Sequence, residues 1–380
     1  AKAFLLRHGI PTAAYRVCSR HAAALAYLRA SGPQVVIKAD GLASGKGVYL
    51  PQDPAEAEDA LRQIMVTRTF AAAGDEVVIE ERLSGEELSL LAFTDGEHLA
   101  IMPPAQDHKR AWDGDLGPNT GGMGAIAPAR PHDGELVETI RRTILLPTLV
   151  GLRAEGTPFV GVLFAGLMLT DRGPQVLEFN GRFGDPEAQV LLPLLESDLL
   201  EILEACREGR LDEAAIRWRA GAAATVVAAA GGYPGTHAVG HEIVGLEAAA
   251  RRPGVTVFHS GTRRKDGGAL VTAGGRVLSV TGVGANLGEA LERAYAGLEE
   301  IHFPGMQFRR PAGQFHRRNR RRQQAGQDAV QDFGRHHFRR VRPAADVAMR
   351  AALVAAVAEI DLDDGDALLR QGRRQRHRRG

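Results

Sequence analysis

Four stretches of the 380-residue chain carry residue types at spacings that could do chemistry. The first, Lys38-Ala39-Asp40-Gly41-Leu42-Ala43-Ser44-Gly45-Lys46-Gly47-Val48, runs from an apolar strand into a loop with three glycines. Glycine lets backbone N–H groups approach an anion closely, and Lys38 and Lys46 add charge. A phosphate-covering hairpin fits, with Lys38 on the strand as a separate phosphate contact. The stretch is not a Walker A loop, because Asp40 and Gly47 stand where that pattern needs Gly and Ser or Thr. An ordinary glycine-rich surface turn is the alternative.

The second stretch is Val176-Leu177-Glu178-Phe179-Asn180-Gly181-Arg182-Phe183-Gly184-Asp185-Pro186-Glu187. Side chains two apart on a strand share a face, so Glu178 and Asn180 project together while Leu177 and Phe179 are expected in the core. A carboxylate beside an amide oxygen suits Mg²⁺, a hard cation held by few protein oxygens plus substrate phosphates. Arg182, just beyond, could bind a carboxylate or phosphoryl group bidentately. A solvated strand end with a surface ion pair is the plainer alternative. The third stretch pairs Gln106-Asp107-His108-Lys109-Arg110 with Asn119-Thr120-Gly121-Gly122-Met123-Gly124 inside a polar loop, Gln106–Gly124, whose length suggests a functional segment. The fourth, Val78–Ser89, is an acidic strand and turn that could offer backbone groups to an adenine ring and a carboxylate to a ribose hydroxyl.

Elements to position these residues follow from periodicity. Helices are expected at the start of the chain, at His21–Arg29, Pro54–Thr67, Glu135–Leu149, Pro186–Cys206 (with a break allowed at Pro193) and Leu287–Ile301. Strands are expected at Val35–Lys38, Val77–Leu83, Leu88–Phe93, His98–Met102, Val162–Thr170, Gln175–Asn180, Ala223–Ala229, Val255–His259, Ala269–Thr272 and Val277–Val283. Turn residues Thr94–Glu97, Asp171–Gly173 and Gly274-Gly275 mark hairpins. The expected domains are 1–217, with a nucleotide-covering part at about 20–88, a small α+β domain at 218–310, and an Arg-rich tail at 311–380.

Composition narrows the class. With 44% hydrophobic and 24% charged residues the chain is neither disordered throughout nor fibrous. No run approaches the ~20 apolar residues of a membrane span. Two cysteines, Cys18 and Cys206, make neither a disulfide framework nor a zinc site, so a reducing cytoplasm is the expected address. Residues 311–380 hold 16 Arg, no Lys and 8 acidic residues, a net of +8; with +1 overall, residues 1–310 carry −7. Against nucleic-acid binding by that tail stand its lack of lysine and of aromatic interleaving beyond Phe315, Phe333 and Phe338.

Taken in order, these stretches resemble the ATP-grasp ligases, and within them the phosphoribosylamine–glycine ligase (glycinamide ribonucleotide synthetase) family. VVIKADGLASGKGV, VVIEERLSGEELS, PPAQDHKRAWDGDLGPNTGGMGA and VLEFNGRFGDPEAQ carry the likeness, and AAAGGYPG, VFHSGT and GGRVLSVTGVG extend it over about residues 1–310. The resemblance implies an α+β ATP-grasp fold, antiparallel sheets with helices and ATP held between two α+β subdomains, plus a small C-terminal α+β domain. It implies that ATP, glycine and 5-phosphoribosylamine give glycinamide ribonucleotide, ADP and phosphate, with Mg²⁺ or Mn²⁺. By that likeness Lys38, Ser44, Gly45, Lys46 and Gly47 hold phosphates, and Glu80 and Leu83 face the adenine. Glu87 takes the ribose, and Glu178 and Asn180 the metal. Arg182, Asp185, Asp107, Lys109, Asn119 and Thr120 line the acceptor side, with Arg182 and Lys38 as the catalytic groups. The family begins with a glycine-rich N-terminal domain that precedes these motifs, and its pattern continues past Arg310 with a D-I-G-W-like stretch. The expectation is therefore an intact ATP site in a truncated chain whose tail is disordered or read out of frame. An inactive ATP-binding fragment and another ATP-grasp carboxylate–amine ligase are the competing assignments.

Overall fold

The computed structural model describes residues 1–32, 34–41, 47–129 and 134–310. Ser44, Gly45 and Lys46, and the Arg-rich tail 311–380, lie outside the described residues. Two compact units interleave along the chain. Ala1–Gln106, Ala129–Arg182 and Ser197–Ile216 form one; Asp107–Pro128, Phe183–Glu196 and the segment from Arg217 form the other. The crossing at Ile216/Arg217 falls beside the boundary expected at 217. Placing 107–128 and 183–196 in the second unit departs from the expected consecutive domains. Strand pairing explains part of this, since Gly124–Ala127 adds to Ala222–Ala229 with Gly124 opposite Val226.

In the first unit an antiparallel sheet orders its strands Tyr15–Cys18, Val77–Glu81, Val35–Ala39, Val48–Tyr49. Alternation sorts its faces. Val35, Ile37, Val77 and Ile79 pack with Ala24 and Leu28 of helix His21–Ser31 and with Leu61 and Ile64 of helix Pro54–Met65. Lys38, Val78 and Glu80 therefore share the opposite face. Helix Pro54–Met65 starts where its sequence dictates: Asp53 accepts the Glu56 amide at 2.9 Å, and the Glu56 carboxylate accepts the Gln52 amide at 2.7 Å. That reciprocal cap satisfies two otherwise orphaned donors, and Pro54 occupies the first turn, where no N–H is needed.

A second antiparallel sheet of the same unit runs Gly173–Asn180, Gly161–Thr170, Glu86–Thr94, Leu99–Ile101. Leu88, Leu90, Leu163, Leu167 and Val176 pack under Ile140, Ile144, Leu145 and Leu149. The helix expected at Glu135–Leu149 continues to Ala154 through a widened turn, Arg141–Leu145. Leu177 does not enter the core as expected. A bulge in the pairing sets Gly166 opposite Glu178 and Leu167 opposite Val176, so Leu177 is the extra residue and Val176 fills the core place.

The second unit holds a five-stranded sheet, Val255–His259, Arg276–Gly284, Ala222–Ala229, Gly124–Ala127, Gln106–Asp107; along the last of these the chain passes from one unit to the other. Helix Leu287–Leu298 packs on it through Ala294 and Leu298. The stretch 106–124 is not the irregular loop expected, because Arg110–Trp112 and Leu116–Asn119 pair as a hairpin. Nor do Gly274 and Gly275 turn a hairpin: Leu270–Thr272 pairs with Thr262–Arg264, while Arg276–Gly284 joins the large sheet. A Cβ on Gly261 would stand 2.7 Å from the Gly274 Cα, so these glycines serve close backbone approach. The expected helix Pro186–Cys206 divides into Ala188–Leu191 and Leu199–Glu208, with the break after Leu194. Among the described residues no helix is long and apolar enough to cross a membrane.

Candidate functional site

Within the first unit, strand Val35–Ala39 brings Lys38 to the non-core face of its sheet, where Lys38 Nζ donates to Glu80 Oε2 at 3.1 Å. The same ammonium reaches the Leu177 carbonyl at 3.4 Å. That carbonyl belongs to the bulge residue, and Glu178 and Asn180 follow it on the same strand. The sequence alone thus links the first and second stretches only by chemistry; the structure links them in space.

Glu80 is 3% exposed and takes a second cation, Lys2, whose Nζ lies 3.0 Å from Oε2. Lys2 also donates to Thr12 Oγ1 at 2.7 Å, and Thr12 passes its own proton to the Val176 carbonyl at 2.7 Å. Burial pulls the Lys2 ammonium below its usual range; Glu80 opposes that pull, and the charge of Lys38 adds to it. Sequence reasoning missed Lys2. Its signal was weak, a lone lysine in an apolar helix start. Glu80, expected with Leu83 to face an adenine, turns its carboxylate inward between two lysines, which leaves the strand backbone for the ring. Leu83 lies half-buried in the turn that follows, and Glu87 is exposed on strand Glu86–Thr94 opposite Met168. Gly47, the one loop residue of the phosphate set within the described residues, is buried and accepts the Ala39 amide at 2.9 Å.

Glu178 and Asn180 do share a face, with Asn180 Nδ2 3.4 Å from Glu178 Oε1. Gly166, opposite Glu178, makes the room: a Cβ there would stand 3.2 Å from Glu178 Cγ. Two oxygen-bearing side chains at an accessible strand end form a donor set suited to a hard divalent cation, completed by water and phosphate oxygens. Arg182 is exposed two residues beyond Asn180.

The second unit gathers a different group. Thr120 closes a tight loop, its amide and its hydroxyl both donating to the Lys109 carbonyl, at 2.7 and 2.8 Å. The His108 amide bonds Gly124 at 2.9 Å and its carbonyl receives Met123 at 2.8 Å, which fixes Asp107 and Lys109 on either side. Gly122, at φ +115, is required: a Cβ would lie 2.6 Å from Asp107 Oδ1. Asn119 is exposed at the end of the hairpin.

Asp185, expected to line a substrate, has its carboxylate held by Arg276, Nη2 to Oδ2 at 3.2 Å and Nη1 to Oδ1 at 3.3 Å, and by Gln189 Nε2 at 2.8 Å. Arg276 Nη1 also donates to the Gly121 and Asp185 carbonyls at 2.8 and 2.9 Å. The Arg276 guanidinium thus ties the GPNTGGMG loop to the FGDPE turn. Sequence analysis missed Arg276 too, although it sits in GGRVLSVTGVG; a strand-start arginine has no spacing signal of its own.

Comparison with known proteins agrees with the likeness drawn from the motifs. The family model described as Phosphoribosylglycinamide synthetase, ATP-grasp (A) domain, matches residues 1–188, and that of the C domain matches 223–314. The chain is 52% identical over 307 residues to the phosphoribosylamine–glycine ligase of Mesorhizobium japonicum, covering 81% of this chain and 72% of that one. It is 52% identical over 314 residues to the chicken (Gallus gallus) trifunctional purine biosynthetic protein adenosine-3, but spans only 31% of that protein's length. The crystal structure of phosphoribosylamine–glycine ligase from Thermotoga maritima superposes with a TM-score of 0.74 at 36% identity, covering 81% of this chain and 76% of that one. The two antiparallel sheets of the first unit are those of an ATP-grasp fold, and the chain belongs to the phosphoribosylglycinamide synthetase family.

Proposed function

We propose that this chain joins glycine to 5-phosphoribosylamine at the expense of ATP, giving glycinamide ribonucleotide, ADP and phosphate, in the cytoplasm. The observation that carries the assignment is the meeting of Lys38, from the glycine-rich stretch, with the strand of Glu178 and Asn180 at the Leu177 carbonyl. A cation and an oxygen donor set on adjacent sheets suit the charged end of a nucleotide triphosphate.

A carboxylate oxygen of glycine attacks the γ-phosphorus and ADP leaves; the amine of phosphoribosylamine then attacks the acyl carbon, phosphate leaves, and the amine sheds a proton. Lys38 and the Ser44–Gly47 backbone hold phosphate oxygens as negative charge spreads over them. Glu178 and Asn180 hold Mg²⁺ or Mn²⁺, which supplies neutralisation of phosphate charge when bound. Leu83 and the backbone around Glu80 meet the adenine, and Glu87 the ribose. Arg182, Asp107, Lys109, Asn119 and Thr120 orient the acceptor substrates, and Asp185 contributes through the loop that Arg276 ties to it. Most of the acceleration then comes from positioning and preset charge, with no covalent nucleophile.

The test is ADP release by the purified chain with Mg-ATP, omitting glycine or phosphoribosylamine in turn. Release that needs both substrates and is lost in Glu178→Gln supports the ligase. Release independent of glycine points to another carboxylate–amine ligase, and Mg-ATP binding without turnover makes this chain a nucleotide-binding fragment.

A further inference from the structure

The buried Glu80 carboxylate has two lysines where one would neutralise it, and the two are held differently. Lys2 is the fixed one: its side chain is 10% exposed, and its ammonium sits 3.0 Å from Glu80 and 2.7 Å from Thr12 Oγ1. Thr12 is itself tied to Val176 in strand Gly173–Asn180, through its hydroxyl and beside the Pro11 carbonyl that accepts the Val176 amide at 2.8 Å. Lys38 is the loose one, with a side chain 24% exposed and contacts of 3.1 and 3.4 Å to Glu80 and to the bulge carbonyl.

We infer that Lys2 is a positioning residue that keeps Glu80 compensated, so that Lys38 is free to leave it for the phosphates of a bound nucleotide. The inference rests on the proposed ATP site. A buried carboxylate stripped of its only cation is among the costliest arrangements a protein can hold, so a lone Lys38 would be locked to Glu80 and lost to the ligand. With Lys2 present, one positive charge stays on Glu80 in both states, and the second is available. Lys38 then has two discrete partners, the carboxylate without nucleotide and the phosphates with it, and Lys2 sets how evenly they compete. Lys2 itself need never touch the nucleotide.

The inference is tested by titration calorimetry of Mg-ATP into the full chain and its variants. Lys2→Gln keeps a hydrogen-bonding head near Thr12 and Glu80 but removes the charge, and Mg-ATP binding should weaken about tenfold or more. Lys2→Arg, which restores the charge, should recover most of it. In a Glu80→Gln background there is no buried carboxylate to capture Lys38, so adding Lys2→Gln should change affinity less than about twofold. A merely structural lysine would cost the same in both backgrounds, and that result overturns the inference, as does unchanged affinity in Lys2→Gln. Should Lys2→Gln fail to fold, Thr12→Val, which removes the second anchor of Lys2, carries the same comparison. Absence of Mg-ATP binding by the unaltered chain would instead overturn the ATP-site assignment itself.

Discussion

Replacing Arg276 by methionine should loosen the loop around Gly121 and destabilise the second unit by a measurable amount. Its guanidinium makes two bonds to the Asp185 carboxylate, at 3.2 and 3.3 Å, and two to backbone carbonyls, at 2.8 and 2.9 Å. The ion pair is partly wet, with side chains 22% and 31% exposed, so it deserves a value near the low end for charged hydrogen bonds. The two carbonyl bonds add a net of roughly 1 kcal/mol each, and Asp185 keeps Gln189 as a partner after the change. The sum is about 2–4 kcal/mol of unfolding free energy, discounted toward the lower figure for the exposed fraction. Urea unfolding followed by fluorescence gives the number, and hydrogen exchange at Gly121 and Gly122 shows whether the loss is local. Arg276→Lys keeps the charge but not the fork, so it should recover less than half. An independent route to the same state is Gly121→Ala, whose Cβ would stand 3.0 Å from Arg276 Cζ and push the guanidinium away. A loss below about 0.5 kcal/mol in Arg276→Met, with loop exchange unchanged, would show that the clamp contributes nothing in solution.

Gly166→Ala should displace Glu178, because the new Cβ would lie 3.2 Å from Glu178 Cγ; Mn²⁺ affinity in the presence of ATP should fall severalfold with little change in thermal stability, as read by electron paramagnetic resonance. Burial pushes the Cys206 thiol up to about 11, with the nearby Asp95 charge adding to it, so iodoacetamide at pH 8 should leave Cys206 unmodified until the chain unfolds. His98 is raised above its ordinary value chiefly by its bond to Asp95, at 2.9 Å, while Asp95, despite a burial that would raise it, is held down at about 2 by the bonds it accepts from His98, Glu97 and Leu211. For His98 the stabilisation is complete below its unfolded pKa and is lost as pH rises through the folded value; for Asp95 it is present above the unfolded carboxylate range and lost as pH falls toward 2. NMR titration should place the His98 midpoint above 6.5, and a midpoint at or below that value contradicts the pairing.

What was legible in the sequence was whatever periodicity or local capping determines. Asp53-Pro54 with Glu56 announces a helix start, and Val35, Ile37, Val77 and Ile79 alternate because one face of their strands is dry. Pairings between distant segments were not legible. Nothing local says that Gly124–Ala127 will add to Ala222–Ala229, or that Leu270–Thr272 will turn away from the strand beside it. The bulge at Leu177 was hidden for the same reason: alternation assumes an unbroken register, and one extra residue moves the core position from Leu177 to Val176. Lys38, Glu178, Asn180 and Arg182 stood out by their chemical types and the other candidate site residues by the family resemblance, while Lys2 and Arg276 came only from the fold.

The glycines show how the two kinds of information meet. In sequence they signal turns and loops that could wrap a phosphate. Within the described residues three of them do something else. Gly166 leaves space for the Glu178 side chain, Gly122 for the Asp107 carboxylate and Gly121 for the Arg276 guanidinium. In each case a side chain that carries charge lies flat against backbone, at a distance a Cβ would occupy. A charged group so placed has few rotamers open to it, and the entropy of fixing it has already been met by folding. For Glu178 this bears on the proposed phosphoryl transfer, whose transition state gains from charges that do not have to reorganise. A substitution at Gly121 or Gly166 should therefore act through the charged neighbour, whereas at Gly122 the backbone φ of +115 and the Pro186 ring add strain of their own. That is why Gly121→Ala and Arg276→Met are expected to converge on one phenotype, and why neither should imitate a change at Gly209, where φ +70 closes a helix and a Cβ would meet nothing within 4 Å.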